Sequence, residues 1–308
     1  MINMRLILLL LSMATCLLQA QEIKVAGTRQ LTRHGDGAYI ISAVSPDGKR
    51  LLLTESNYKG ISLMDKRRGK IIRINEMPGA GFEPCFTADG RFIIFKADEY
   101  EGIKKLSSML RYEMATGETQ TLVPQTRNLT APAVSGGRLF YLSQGKLESS
   151  GVDKALVKSS ASDTVLLLED MTPVICINGE RKNLRPNGEG SYIWASLSPD
   201  KTKILYYFTG KGTFISDLDG KILFSPGRIS APKWLNNQII IGMDDRDDGY
   251  RVTRSEIVSF SLGSNQTRYL TSSSSRKEMY PFPFPGGKSI VFQTPEGELF
   301  VMKLRIRL

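Results

Sequence analysis

Histidine is nearly absent from this chain: His34 is the single one in 308 residues. Cysteine is scarce at three and tryptophan at two. One histidine cannot furnish a His-rich metal centre, and three cysteines are too few for a zinc ribbon or a disulfide scaffold. No Gly-x-Ser-x-Gly elbow occurs, and no Cys/His nucleophile pair assembles. Beyond Leu18 no apolar run reaches about 18 residues, so the mature chain is not expected to span a membrane. Acidic residues are outnumbered, 31 against 41 Lys and Arg, which leaves a formal charge of +10. The basic residues are scattered, with Lys66-Arg67-Arg68 and Arg181-Lys182 at turns. That pattern describes a solvated surface and argues against nucleic acid as a partner.

What is present begins with an address. Met1–Arg5 is short and carries one positive charge, Leu6–Leu18 is almost wholly apolar, and Leu18-Gln19-Ala20 is followed by Gln21-Glu22. This is the three-part layout of a secretory signal peptide over residues 1–20. The expectation is an exported protein, periplasmic or associated with the cell envelope, whose residues 21–308 form one domain. Cys16 offers a second reading as a lipidated cysteine, although Met13-Ala14-Thr15 matches the small-residue lipobox poorly.

The body of the chain repeats itself. Residues 43–54 read Ala-Val-Ser-Pro-Asp-Gly-Lys-Arg-Leu-Leu-Leu-Thr, and residues 85–96 read Cys-Phe-Thr-Ala-Asp-Gly-Arg-Phe-Ile-Ile-Phe-Lys. Residues 196–207 and 282–293 are further copies, and weaker ones surround Gly136-Gly137 and Asn236-Asn237. Each unit is a short strand, a tight turn that tolerates positive φ, and an apolar run suited to a strand buried on both faces. The turns fall at Gly48, Gly90, Gly137, Lys201, Asn237 and Gly287, with spacings of 42, 47, 64, 36 and 50. This is the period of a four-stranded propeller blade. The interval of 64 contains the polar stretch Gln144–Ser162, read as an inserted loop. The last unit lacks a strand, and Glu22–Thr32 resembles a blade-terminal strand. The expectation is an all-β, six-bladed β-propeller in which the N-terminal strand closes the last blade. Cys85 and Cys176 then fall in different blades, so two separate buried thiols are expected, with pairing left open.

The units resemble the TolB-type propeller repeat, whose hallmark is Ser-Pro-Asp-Gly followed by an apolar run. Tyr58-Lys59-Gly60, Tyr192-Ile193-Trp194, Gly210–Phe214, Ala231–Leu235 and Asp244–Gly249 are similar to segments of an exported bacterial subgroup of TolB-like propellers. TolB itself carries an α/β domain ahead of its propeller, for which the residues between the expected cleavage site and the first hairpin leave no room. The resemblance therefore implies a fold more than a role. Peptidases with a similar propeller add a hydrolase domain, for which the expected single-domain chain has no room, and propeller lyases that hold a metal with several histidines are at odds with a single His34.

Three groups of residues invite a functional reading. Tyr39, Glu83, Trp194, Lys233 and Tyr280 stand at or near the start of inner strands, which face a propeller's channel mouth. Aromatics beside a few charges there could form a binding face. The bland alternative is packing between blades. In the second group, Asp244, Asp247 and Asp248 crowd next to Gly249 and partly resemble a calcium loop. Arg246 occupies a ligand position, however, and no acidic residue closes the loop, so a solvated turn is the competing reading and no cofactor is assigned. Finally, His34 lies in Arg33-His34-Gly35-Asp36-Gly37, read as a surface loop. The expectation is a monomeric, non-catalytic exported module that binds an envelope protein, a peptide or a glycan. The alternative is a small propeller enzyme acting on glycans with channel carboxylates, pairing Glu83 with Asp244 or Asp248.

Overall fold

The structure is a computed structural model and describes residues 22–32, 37–153, 164–273 and 276–307. The expected signal peptide with Cys16, and His34 with its loop, lie outside the described residues. Among the described residues no helix is long and apolar enough to cross a membrane.

The repeat motif becomes a hairpin through its own side chains. Ser45 Oγ donates to Asp47 Oδ1 at 2.6 Å, and the same carboxylate oxygen accepts the Lys49 N–H at 3.0 Å. The Arg50 N–H closes the turn onto Ser45 Oγ at 2.9 Å, with Gly48 in the left-handed region at φ 66°. Thr87 with Asp89 and Ser198 with Asp200 build the same net, each pair joined at 2.6 Å. Side-chain acceptors that mimic a backbone turn are the reason Ser, Thr and Asp recur at these positions.

Strand β1 (Glu22–Gln30) precedes the first blade, which comprises β2 (Ile40–Val44), β3 (Arg50–Thr54), β4 (Ile61–Asp65) and β5 (Ile71–Asn75). The second blade is β6 (Cys85–Phe86), β7 (Phe92–Glu101), β8 (Lys104–Glu113) and β9 (Thr119–Thr126). Two blades follow with three strands each among the described residues: β10 (Ala133–Ser135), β11 (Arg138–Ser143) and β12 (Lys146–Gly151), then β13 (Thr164–Glu169), β14 (Thr172–Ile177) and β15 (Glu180–Asn183). The fifth blade is β16 (Tyr192–Leu197), β17 (Lys203–Phe208), β18 (Gly212–Asp217) and β19 (Ile222–Gly227). The sixth is β20 (Ser230–Asn236), β21 (Ile239–Asp247), β22 (Val252–Ser261) and β23 (Gln266–Tyr269). The last holds β24 (Met279–Pro283), β25 (Ser289–Gln293) and β26 (Leu299–Arg307), with β1 antiparallel to β26 in the register Val25↔Leu304 and Gln30↔Phe300.

The propeller therefore has seven blades, which corrects the expected six. The difference lies in the long interval between Gly137 and Lys201. It holds an additional hairpin, β13–β14, whose turn is Asp170-Met171 at φ 46° and 58°. Two left-handed residues in a row make the tight turn without glycine or proline, so the usual sequence mark is missing. Part of the stretch read as an inserted loop is strand β12, paired to β11 from Arg138↔Gly151 to Ser143↔Lys146.

The second strand of each blade holds the ring together. Leu51, Leu52 and Leu53 on β3 are all fully buried. Leu51 and Leu53 pack with Val291, Leu299 and Val301 of the closing blade, whereas Leu52 packs with Ile93 and Phe95 of the second blade. Side chains on a strand alternate between faces, so an unbroken apolar run serves two neighbours at once. The same alternation recurs at Ile239, Ile240 and Ile241. The seam at β1–β26 carries Ile23 and Leu304 into the apolar cluster of Phe292 and Ile241.

Removing residues 22–30 should strip this outer strand from β26 and leave a long unpaired edge. The expected outcome is a lower urea midpoint and aggregation on concentration. An unchanged midpoint by circular dichroism would show that ring closure does not depend on β1.

Candidate functional site

The inner strands β2, β6, β10, β13, β16, β20 and β24 surround a central channel of about 700 Å³. At the end where these strands begin, it opens into a mouth pocket of about 220 Å³. Glu83, Trp194, Lys233 and Tyr280 all line that pocket, together with Tyr58 and Phe82. Four of the five residues singled out from sequence are thus brought together. The fifth, Tyr39, packs instead on the apolar seam between the first and closing blades.

Backbone geometry aims these side chains. Glu83 (φ 49°), Trp194 (φ 53°), Ala231 (φ 47°) and Tyr280 (φ 50°) are all left-handed, although none is glycine. On β16, β20 and β24 the left-handed residue falls where the register to the second strand slips. Such a bulge re-aims a side chain out of the alternation of the strand. A left-handed non-glycine residue costs of order 1–3 kcal/mol, so four around one opening are a considerable stored strain.

The loop carrying Phe82 and Glu83 is pinned from below. Ser42 Oγ donates to the Gly81 carbonyl at 2.9 Å, and the Gly81 N–H donates to the Tyr58 carbonyl at 3.0 Å. Gly81 itself is required, because a Cβ there would lie 2.0 Å from Thr54 Oγ1. Tyr58 and Phe82 meet edge to face with centroids 5.1 Å apart. Trp194 is held edge to face by Tyr207 at 5.4 Å.

Two charges of opposite sign share this pocket. Glu83 is exposed at the pocket surface but sits low among the neighbouring inner strands, and the partial desolvation there pushes its carboxyl up while Lys233 and then Lys96 pull it back. Burial likewise pushes the Lys233 ammonium down, against the opposing pull of Glu83. Desolvation wins at both groups, which drives them toward their neutral forms. Lys233 Nζ lies 4.7 Å from the Phe282 ring centroid, a cation–π contact. Among the described residues none, Lys233 included, forms a hydrogen bond or ion pair with the Glu83 side chain, so Lys233 acts on it through the field across the pocket. Tyr58 and Tyr280 are both pushed up, by burial first and then by Glu83 and by Tyr58 respectively.

Lys96, Tyr58 and Phe82 were not foreseen as site residues. Lys96 was the most legible of them, as the lone charge ending the buried run Phe92-Ile93-Ile94-Phe95. It is 8% exposed, lies 3.6 Å from Asp98 Oδ1, and stands 6.0 Å from the Phe82 ring centroid. Burial pushes its ammonium down, opposed by Asp98.

The acidic loop does not join this pocket. Asp244 accepts the Tyr269 hydroxyl, Asp247 accepts the Gly249 N–H at 2.9 Å, and Asp248 caps Tyr250 and Arg251 at 3.0 and 2.9 Å. Neither Asp244 nor Asp248 lines the mouth, so the suggested pairing of either with Glu83 is not formed. Among the described residues no three His, Cys, Asp or Glu are grouped so that they could hold a metal ion. Cys85 and Cys176 are free thiols. Cys85, on the channel wall, is pushed up to about 12 by burial.

No family model and no curated protein sequence matches the chain. Solved structures do. An oligogalacturonate lyase in complex with manganese is similar at TM-score 0.50 and 16% identity, covering 85% of this chain and 76% of that one. An oligogalacturonate lyase from Vibrio parahaemolyticus is similar at TM-score 0.48 and 12% identity, covering 84% and 76%. The first likeness establishes the β-propeller fold. It also runs against the expectation of a non-catalytic binding module, because a protein with this fold is named as a lyase; that expectation is dropped, and the enzyme alternative is taken up below. That neighbour is a manganese complex, whereas among the described residues here no three His, Cys, Asp or Glu are grouped to hold a metal ion.

Lys233→Met removes the cation that acts most strongly on Glu83. The Glu83 carboxyl should then titrate at a higher pH than in the wild type, measured by carboxyl chemical shifts of labelled glutamate. The sign for stability follows. A carboxyl raised in the folded state contributes stability that is full below its unfolded value and is lost as pH rises through the folded value. In the variant that loss should move to higher pH. An unchanged Glu83 midpoint would show that the two groups do not interact.

Proposed function

We propose that this protein is a glycan-processing enzyme that cleaves acidic, uronate-containing oligosaccharides at the channel mouth by elimination. The observation that carries the reading is the Glu83–Lys233 pair. A carboxyl raised by burial and an amine lowered by burial share one aromatic-lined pocket, which sets an acid and a base side by side. Hydrolysis by the usual route asks for two carboxyl groups flanking the scissile bond. The mouth pocket is lined by a single one, Glu83. Elimination asks instead for a base, an acid and positive charge near the sugar carboxylate.

In this scheme the neutral amine of Lys233 takes the proton α to the uronate carboxylate. The C–H electron pair becomes the new ring double bond, and the glycosidic oxygen leaves with its bonding pair. Protonated Glu83 gives its proton to that oxygen. The pair ends as ammonium and carboxylate and exchanges protons with channel water to reset. Lys96, held against Asp98 behind Phe82, adds a second basic side chain on that side of the pocket. Trp194 and Tyr280 offer the flat apolar faces on which a sugar ring stacks. The likeness to a protein named as an oligogalacturonate lyase supports the choice of substrate, and the signal-like layout of residues 1–20 supports encounter with that substrate outside the cytoplasm. No step is routed through a metal, because the donor set for one is missing from the residues of the mouth.

Incubation with oligogalacturonates should generate an unsaturated product, followed by its ultraviolet absorbance. Glu83→Gln and Lys233→Met should each lower kcat by about 100-fold or more. Full activity in either variant would remove that residue from the chemistry. The wild-type rate should also survive excess EDTA. A rate abolished by EDTA and restored by manganese would overturn the metal-independent scheme.

A further inference from the structure

The mouth pocket is not isolated. Tyr58 and Phe82, which wall it on one side, also line a second groove of about 500 Å³. The far wall of that groove is the β7–β8 hairpin. Its strands have ten residues each, against five each in β3 and β4 of the blade before it. The register places Tyr100 opposite Lys105 and Asp98 opposite Ser107. Paired residues and every second residue share a face. Lys96, Asp98, Tyr100 and Lys105 therefore stand together on the face that lines the groove.

The charge of this groove is positive. Lys59, Lys96 and Lys105 line it, against the single carboxylate of Asp98. Asp98 is 6% exposed and already engaged, by Lys105 at 2.8 Å, Lys96 at 3.6 Å and Ser107 Oγ at 2.6 Å. It anchors the lysines and leaves the groove with more cations than anions. Aromatic surface accompanies the charge: Tyr100 is 62% exposed and Phe82 37%. A flat apolar face beside cations suits a sugar ring that bears a carboxylate.

We propose that this groove is a second sugar subsite, which takes an acidic residue of an oligosaccharide whose scissile bond lies at the mouth. Tyr100 and Phe82 form the stacking surface, and Lys59 and Lys105 face the carboxylate. The inference rests on the elimination reading for the choice of substrate, and it adds a preference for chains longer than the disaccharide.

Initial rates on digalacturonate and tetragalacturonate test it, with full-length wild type and the double variant Tyr100→Ala/Lys59→Ala. Both positions are exposed and neither holds a core contact. The expected result is a KM for tetragalacturonate raised about tenfold, equivalent to about 1.4 kcal/mol, with kcat and the digalacturonate KM unchanged. An equal effect on both substrates, or none on either, overturns the subsite. If wild type turns over neither substrate, the lyase reading has failed by itself. The groove is then read by affinity electrophoresis in gels carrying polygalacturonate. Retardation of wild type that the double variant loses supports the subsite, and equal mobility overturns it.

Discussion

Everything in this molecule depends on strands that are buried on both faces. A strand such as β3, with Leu51, Leu52 and Leu53 all removed from water, cannot satisfy its two apolar surfaces within its own blade. It needs a neighbour on either side, each neighbour needs another, and the only arrangement without an exposed end is a ring. The inner strands then have no choice but to line a common axis. The channel and its mouth follow from how the second strands are covered.

Against that rigid ring, the mouth is built from departures. Glu83, Trp194, Ala231 and Tyr280 adopt a backbone region that side chains disfavour, and Glu83 and Lys233 hold charges where burial opposes charge. These features lower stability, and the apolar seams between blades offset them. Their convergence on one opening sets the mouth apart from the packed seams, since strain of this kind persists only where the surroundings over-determine it. The opposite shifts of Glu83 and Lys233 are also mutually dependent, because each is the other's main electrostatic brake.

The sequence made the fold class legible because Asp47, Asp89 and Asp200 close their turns with local side-chain bonds that demand particular residue types. It concealed one blade because Asp170-Met171 achieves the same reversal by backbone conformation alone, which no residue type announces. Glu83, Trp194, Lys233 and Tyr280 could be placed near the mouth from their offset to the turns. Tyr39 could not, since its offset is the same in kind but its ring turns into the seam. Phe82 and Tyr58 escaped notice because they belong to connecting segments, where no periodicity relates position to direction. The shifts of Glu83 and Lys233 were not legible because they come from burial at the mouth, which residue type alone does not report.

The two three-stranded blades are adjacent, and among the described residues neither β12 nor β15 carries an outer partner. In a seven-membered ring the seam between the third and fourth blades lies across the diameter from the last. The last blade is the one that joins the two ends of the chain, through β1 and β26. Among the described residues the ring thus has a clasp and, facing it, a wall with fewer paired strands. Should the clasp release, bending would concentrate in that wall, where the fewest hydrogen-bonded strands resist it. In that event the circle would open as a bracelet does, with the mouth carried on the arms between clasp and wall.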